Sequence, residues 1–382
     1  MVAGERSGDV YGAALAQALK GRIANAEFFG CGGEAMRAAG VDTLVDIHHV
    51  ALIGISEVVS GLPKAYRALQ DLVAEAARRK PAAAILIDSP SLNLRLAKRL
   101  KHYDIPVIYF VSPQIWAWKK WRIRKIKACV DRMLCLFDFE TDIYEKAGVP
   151  VECVGHPLVD MPAPSRTREE FFTRAGLDPG IPTVALLPGS RRTEVAFNLP
   201  AMLEAAAQLA RSRPVQFVVA CAPSIDSAWL ESLVARGYTG NATLRALNNS
   251  THEALHYADA AVVASGTATI EAAIRECPMV VVYRVSAFTA MCARFMIDVP
   301  FYSMVNLLAG HAAVPELIQS DFTADRLAAN LEQLLDDGLA RNRMIEDLRQ
   351  VRNRLGMGGA IGRAADAIVR HIEGAKASRR AV

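Results

Sequence analysis

The sequence predicts an α/β protein of two doubly wound parallel-sheet domains. Three observations carry this. Short apolar runs rich in Val, Ile and Leu alternate with stretches of helical periodicity, as buried parallel strands joined by crossover helices require. The alternation stops once, at the polar, proline-rich stretch Pro162 to Arg168 (PAPSRTR), and then resumes. In each half, turns of glycine and small residues stand directly after an apolar run and directly before a helix. The expected division is a first domain over 1–160, a linker over 161–168 and a second domain over 169–350. A helical segment with a basic tail follows over 351–382.

Composition narrows the function. The 382 residues are 52% hydrophobic and 22% charged, enough apolar material for two cores. A net charge of +4 is too small to mark a nucleic-acid binder, although local clusters count for more than the total. The seven cysteines include no CxxC pair and read as reduced thiols of a cytoplasmic protein. No apolar run reaches the ~18 residues of a membrane span, and the N-terminus has no signal-peptide pattern.

In the first half, Ala3-Gly4-Glu5-Arg6-Ser7-Gly8-Asp9 reads as a strand-to-helix turn. Asp9 or Ser7 would cap a helix from Val10 to Lys20. Gly4 and Gly8 permit close backbone approach to a ligand, and a plain tight turn would read the same way. Only Met1 to Ala3 precede the turn, so the first strand is short beside a usual central strand of about five residues. The spacing GERSG is not the GxGxxG of a dinucleotide fold, which argues against an oxidoreductase. Glu27 to Gly33 reads as a strand and glycine turn. Val50 to Ile55 (VALIGI) is either a buried segment or a greasy lip for an acyl chain or bilayer, with Leu52 and Ile53 at its centre. Lys64 to Lys80 is an amphipathic helix. Ala82 to Ile87 is a buried strand with Asp88 at its tip, ahead of a helix from Leu92 to His102. A carboxylate at the end of a parallel strand is where this fold class places chemistry. Ser91 can cap the helix itself, which leaves Asp88 for a catalytic role. After a strand over Ile105 to Val111, Gln114, Trp116, Trp118, Trp121 and Arg122 lie in a run of tryptophans, lysines and arginines. Such a run suits nucleic acid, an anionic membrane or phosphorylated lipid, or a solvated helix with packed tryptophans. Strands over Arg132 to Phe137 and Val151 to Val154 follow. His156, after the last of them, is a ligand donor or a hinge residue.

In the second half, a strand over Thr183 to Leu187 ends in Gly189-Ser190-Arg191-Arg192, where arginine beside a helix N-terminus suits a phosphate. Strands follow over Gln216 to Cys221 and near Leu244. The apolar run Ala260 to Ala264 leads into Ser265-Gly266-Thr267, with a hydroxyl cap for the helix Ala268 to Ile274. Unpaired N–H groups and a positive dipole at such a turn fit a diphosphate, although a capped βα turn has the same pattern. Glu271, one turn in, could accept from sugar hydroxyls. Met279 to Tyr283 is a strand and Phe288 to Ile297 an apolar helix. The pieces around Asn306 and from Val314 to Gln319, with Glu316, read as loop-to-helix transitions. The remainder from Thr323 is helical.

Seven stretches together resemble the lipid-A-disaccharide synthase family: AGERSGDVYGA, IDSPSLNLRLAK, YFVSPQIWAWKKWR, VGHPLVD, LLPGSRRTE, SGTATIEA and VPELIQ. They run from the first residues to about Gln319 in matching order and spacing. The resemblance implies a GT-B fold with the active site in the inter-domain cleft. It implies an inverting, metal-independent glycosyltransferase needing no cofactor. The substrates would be UDP-2,3-diacylglucosamine and 2,3-diacylglucosamine 1-phosphate (lipid X), and the products a β-1,6-linked disaccharide 1-phosphate and UDP. The enzyme would sit peripherally on the cytoplasmic face of the inner membrane of a Gram-negative bacterium, against anionic lipid, with no nucleic-acid partner; a homodimer is one assembly open to it. Asp88 then becomes the base. Gly189, Ser190, Arg191, Ser265, Gly266, Thr267, Glu271, Asn306 and Glu316 form the donor set. Ser7, Gly8, Asp9, Leu52, Ile53, Gln114, Trp116, Trp118, Arg122 and His156 face acceptor or membrane. Two features depart from the family pattern: Ser91 stands where the family has a second Asp, and the strand before AGE is short. The alternatives are another GT-B enzyme acting on UDP-N-acetylglucosamine, of peptidoglycan-transferase or 2-epimerase type, and a non-enzymatic membrane- or RNA-binding module.

Overall fold

The computed structural model describes residues 1–50, 58–117, 120–286, 289–290 and 299–380. Two compact units emerge: 1–160 with 355–382, and 161–354. Leu52, Ile53 and Trp118, and most of the helix expected over Phe288 to Ile297, lie outside the described residues.

The first unit holds a seven-stranded, all-parallel sheet. Its strands are β1 (Val2–Ala3), β2 (Phe29–Gly32), β3 (Asp42–Asp46), β4 (Ala84–Ile87), β5 (Val107–Phe110), β6 (Arg132–Cys135) and β7 (Val151–Cys153), in spatial order 3-2-1-4-5-6-7. β1 is two residues long yet central, pairing through Val2 with Cys31 and Leu86. Helices α1 (Arg6–Lys20), α2 (Glu34–Ala38), α3 (Ile47–Val50), α4 (Val58–Arg79), α5 (Pro90–Leu100), α6 (Arg122–Cys129) and α7 (Asp138–Lys146) join the strands. The core is mainly aliphatic, with Leu86, Val107, Met133 and Leu96 fully buried together with the ring of Tyr109. β3 was not expected from the sequence. Its five residues, DTLVD, form the sheet edge, and only Val45 among them is buried, so no alternation of apolar and polar residues marks the strand.

The second unit holds a six-stranded parallel sheet. Its strands are β8 (Thr183–Leu187), β9 (Gln216–Cys221), β10 (Leu244–Asn248), β11 (Ala260–Ala264), β12 (Met279–Tyr283) and β13 (Glu316–Ile318), in order 10-9-8-11-12-13. The helices include α8 (Arg168–Ala175), α9 (Arg192–Ser212), α10 (Ser227–Gly237), α11 (Thr251–Tyr257), α12 (Thr267–Ile274), α13 (Met304–Ala309), α14 (Ala324–Leu335) and α15 (Leu339–Arg354). β13 corrects the loop-to-helix reading of Val314 to Gln319: three residues pair with β12 at the edge, too few to leave an alternating pattern.

The last helix, α16 (Ala360–Arg380), returns to the first unit. Asp160 accepts from the N–H groups of Gly359 (2.5 Å) and Ala360 (3.0 Å) at its start. Arg363 donates to the Val154 carbonyl and Arg370 pairs with Glu152.

Both sheets reverse their winding once. In the first unit the reversal lies between β1 and β4, in the second between β8 and β11. The carboxyl ends of strands flanking such a switch point frame the ligand crevice of an open α/β sheet. Gly4 and Asp88 follow the first pair of strands, Gly189 and Ser265 the second.

Candidate active site

Asp88 directly follows β4, and both it and Ser89 are left-handed, with φ of +49° and +44°. Each such non-glycine residue costs about 1–3 kcal/mol and persists only where its surroundings enforce it. Here they do. The buried Asn93 amide donates to the carbonyls of Ile87 (3.0 Å) and Asp88 (2.8 Å). The Tyr109 hydroxyl donates to the Asp88 carbonyl at 2.5 Å, and the Asp88 N–H donates to Phe110. Gly4 admits the turn, since a Cβ there would lie 2.4 Å from Ser89 Oγ. The backbone of Asp88 is therefore fixed independently of its carboxyl group. Burial raises that carboxyl to about 6; the Glu5 carboxylate adds to the shift and the Ser89 N–H opposes it. Val111, after β5, is also left-handed at φ +65°, a strained conformation for a β-branched residue. The strain thus gathers at the ends of two adjacent strands. Asn93 and Tyr109 were not singled out from the sequence, because their role depends on tertiary placement.

The first turn differs from expectation. Helix α1 starts at Arg6 with Glu5 as its N-cap, so Ser7 and Asp9 are helical and not caps of a helix from Val10. Asp9 is buried and turned inward. Its carboxylate accepts from the N–H groups of Gly33 (2.6 Å), Ala35 (3.0 Å) and Met36 (3.1 Å), closing the start of α2. Ser7 is half-buried, and Gly8 packs against Ala3 and Ile87. An Asp9→Ala variant should lose about 2 kcal/mol of stability; urea unfolding with an unchanged midpoint would contradict this cap.

His156, beyond β7, is buried beside Tyr11 and Phe137. Its Nδ1 accepts from the Leu158 N–H (3.2 Å), and burial lowers its pKa to about 4, so the ring is neutral. After β5, Gln114 is exposed, Trp116 half-buried and Arg122 buried. A buried carboxylate missed in the sequence, Glu140, holds this segment. It accepts from Ser112 Oγ (2.5 Å), Trp116 Nε1 (3.3 Å) and the Phe137 N–H (3.3 Å). Burial raises Glu140 to about 7, against the hydrogen bonds that favour its charge.

In the second unit the two glycine turns differ. At Gly189 the turn is already filled by Glu194. That carboxylate accepts from the N–H groups of Ser190 (2.9 Å) and Arg191 (3.2 Å) and pairs with the Arg191 guanidinium (3.0 Å). The start of α9 therefore carries its own anion, and the exposed Arg191 side chain, not the backbone, is the group able to reach a phosphate. At Ser265 the turn is open. The expected hydroxyl cap is not made: the N-cap is Gly266, without a side-chain cap, and Ser265 Oγ donates to the Tyr302 carbonyl (3.1 Å). Gly266 and Thr267 are exposed, and among the described residues nothing lies within 4 Å of where a Cβ at Gly266 would stand. Among the described residues no side chain caps the start of α12, and the first N–H groups and dipole of such a helix stabilise an anion. Glu271, half-buried one turn into α12, is raised to about 7 by burial, with Arg275 opposing.

Asn306 and Glu316 are hydrogen-bonded within the second unit. Asn306 bridges both backbone groups of Val314 and donates to Glu316 (2.8 Å). Glu316 accepts from the N–H groups of Tyr302 (2.8 Å) and Ser303 (2.9 Å). They shape the loop whose Tyr302 carbonyl holds Ser265.

Residues 1–360 match the model of the family described as lipid-A-disaccharide synthetase. The chain belongs to this family. It is 45% identical over 370 residues to the lipid-A-disaccharide synthase of Myxococcus xanthus (strain DK1622), covering 97% of this chain and 96% of that one. It is 41% identical to that of Solibacter usitatus (strain Ellin6076), over 97% of each. Among solved structures, a putative UDP-N-acetylglucosamine 2-epimerase from Listeria monocytogenes superposes with a TM-score of 0.69 at 14% identity, over 97% of this chain and 95% of that one. The spinosyn forosaminyltransferase SpnP gives 0.60 at 13%, over 95% and 96%. The lipid-A-disaccharide synthase family thus has here a GT-B fold of two parallel-sheet units, and its members are glycosyltransferases.

Proposed function

We propose that the chain transfers a 2,3-diacylglucosaminyl group from UDP-2,3-diacylglucosamine to the 6-hydroxyl of 2,3-diacylglucosamine 1-phosphate, with inversion. The observation that carries the mechanism is the Asp88 turn, strained, held from both sides and placed at the switch point. A carboxylate raised to about 6 is ionised at neutral pH yet basic enough to take a proton. Asp88 accepts the hydroxyl proton as the acceptor oxygen attacks the anomeric carbon. The bond from that carbon to the diphosphate oxygen breaks, and UDP leaves with the electron pair. The open N-terminus of α12 at Gly266 and Thr267 and the Arg191 guanidinium stabilise the growing charge on the diphosphate. Glu271 accepts from the ribose hydroxyls, which favours its ionised form. Asn306, Glu316 and Glu194 position the turns that carry this machinery. Gly189 and Ser190 fix the path of the Arg191 turn.

Among the described residues no helix is long and apolar enough to cross a membrane. Acylated substrates reside in a bilayer, so the reading places the protein peripherally on the cytoplasmic face of the inner membrane. The segment after β5 supports this contact, with Trp121 exposed and Lys125 over its ring.

Two variants separate the donor contacts. Arg191→Ala should weaken UDP and inorganic diphosphate alike, by roughly 10-fold. Glu271→Gln should weaken UDP by a similar factor and leave diphosphate unchanged. Calorimetry showing unaltered UDP affinity in both would remove the donor site from the second unit. The overall reaction is tested by UDP release from purified protein: it should require both acylated sugars, and UDP-N-acetylglucosamine alone should give neither UDP nor an epimer.

A further inference from the structure

A groove of about 390 Å³ lies on the first unit, lined by Tyr66 and Leu69 of α4, by Arg95, Lys98 and Arg99 of α5, and by His102 just beyond it. Arg95, Lys98 and Arg99 are spaced to share one helix face. Among the described residues no carboxylate lines the groove. Among the described residues none of these three cations makes an ion pair, whereas Arg78 and Arg79 share Glu75, and Arg349 and Arg352 share Glu276. Like charges three and four apart on a helix repel, so this face costs the fold something that an external anion would return. The floor is apolar: Leu69 is buried, and the exposed Tyr66 ring lies beneath the Arg99 guanidinium at 5.2 Å. α5 begins at the Asp88 turn and rises 1.5 Å per residue, which puts Lys98 about 12 Å along from its start. The groove is therefore separate from the catalytic edge.

We infer that this groove seats the headgroup phosphate of an anionic membrane phospholipid, with Arg95, Lys98 and Arg99 on the phosphate and Tyr66 at the boundary of the apolar region. The inference rests on the membrane-bound reading above. It adds a lipid that is neither donor nor acceptor, held so that the enzyme stays on the surface between turnovers.

Flotation of the purified protein with phosphatidylcholine vesicles, with and without phosphatidylglycerol, tests it. Wild type should float with the anionic vesicles. The triple variant Arg95→Gln/Lys98→Gln/Arg99→Gln should bind them on the order of 100-fold more weakly. It should keep its melting temperature and its turnover on detergent-dispersed substrates. A charge-matched control, Arg174→Gln/Arg211→Gln/Arg236→Gln, should lose far less. Equal loss in the control overturns the groove in favour of net charge. Undiminished flotation of the triple variant overturns the groove and leaves the membrane reading standing. Wild type that floats with neither vesicle overturns both. Glycerol phosphate binding the groove as tightly as vesicles do, or RNA retention lost in the triple variant without vesicle binding, would replace the lipid with a soluble phosphate or a nucleic acid.

Discussion

Asp88→Asn is expected to lower turnover by about 10³-fold, within the range for removal of a general base, while UDP affinity and thermal stability stay near wild type. Asparagine tolerates the left-handed conformation that this position adopts. The Asn93 and Tyr109 bonds to the turn use backbone carbonyls, so they survive the change. The pH dependence should follow. Only the carboxylate can take the proton, and burial raises its pKa to about 6. Wild-type kcat/KM should therefore rise about tenfold per unit as pH climbs toward 6 and level off above it. The residual activity of Asp88→Asn should lack that rise. Full turnover in the variant would make Asp88 a turn residue and move the base elsewhere.

Gly266→Ala should weaken UDP binding by roughly 10- to 100-fold. Its φ of +156° and ψ of −161° lie where only glycine is comfortable. Among the described residues nothing stands within 4 Å of the added methyl. The loss would come from backbone strain and from the methyl entering the space given to the diphosphate. Gly176→Ala is the control. Gly176 is left-handed at φ +64° and caps the far end of α8, ahead of β8. It should cost stability without changing UDP affinity, and equal affinity losses in both variants would assign the effect to general destabilisation.

The contrast between the two glycine turns marks what a sequence can and cannot disclose. Both turns are legible as such: buried apolar runs such as Ala260–Ala264 and Thr183–Leu187 pass into small residues and then a helix. The positions of Asp88, Gly189 and Ser265 at strand ends follow from the same pattern. That Glu194 fills one turn while the other has no side-chain cap does not, because a carboxylate three or four residues away can point inward or outward at similar local cost. Asp9 and Glu140 were obscured for the same reason. Each is a buried carboxylate whose partners, Gly33 to Met36 and Ser112 with Trp116, lie over twenty residues away in the chain. The start of α1 moved ahead of its cap signals because Gly8 and Asp9 pack against the sheet and α2, and tertiary contacts outweigh a hydroxyl cap. β3 and β13 were lost because short edge strands carry little periodic signal.

The most direct measurement is the anomeric configuration of the product formed by the purified chain from UDP-2,3-diacylglucosamine and 2,3-diacylglucosamine 1-phosphate, read by NMR of the new glycosidic linkage. A single displacement with Asp88 as base gives a β-1,6 bond and one UDP per disaccharide. An α-linked product, or UDP formed without any disaccharide, would contradict it.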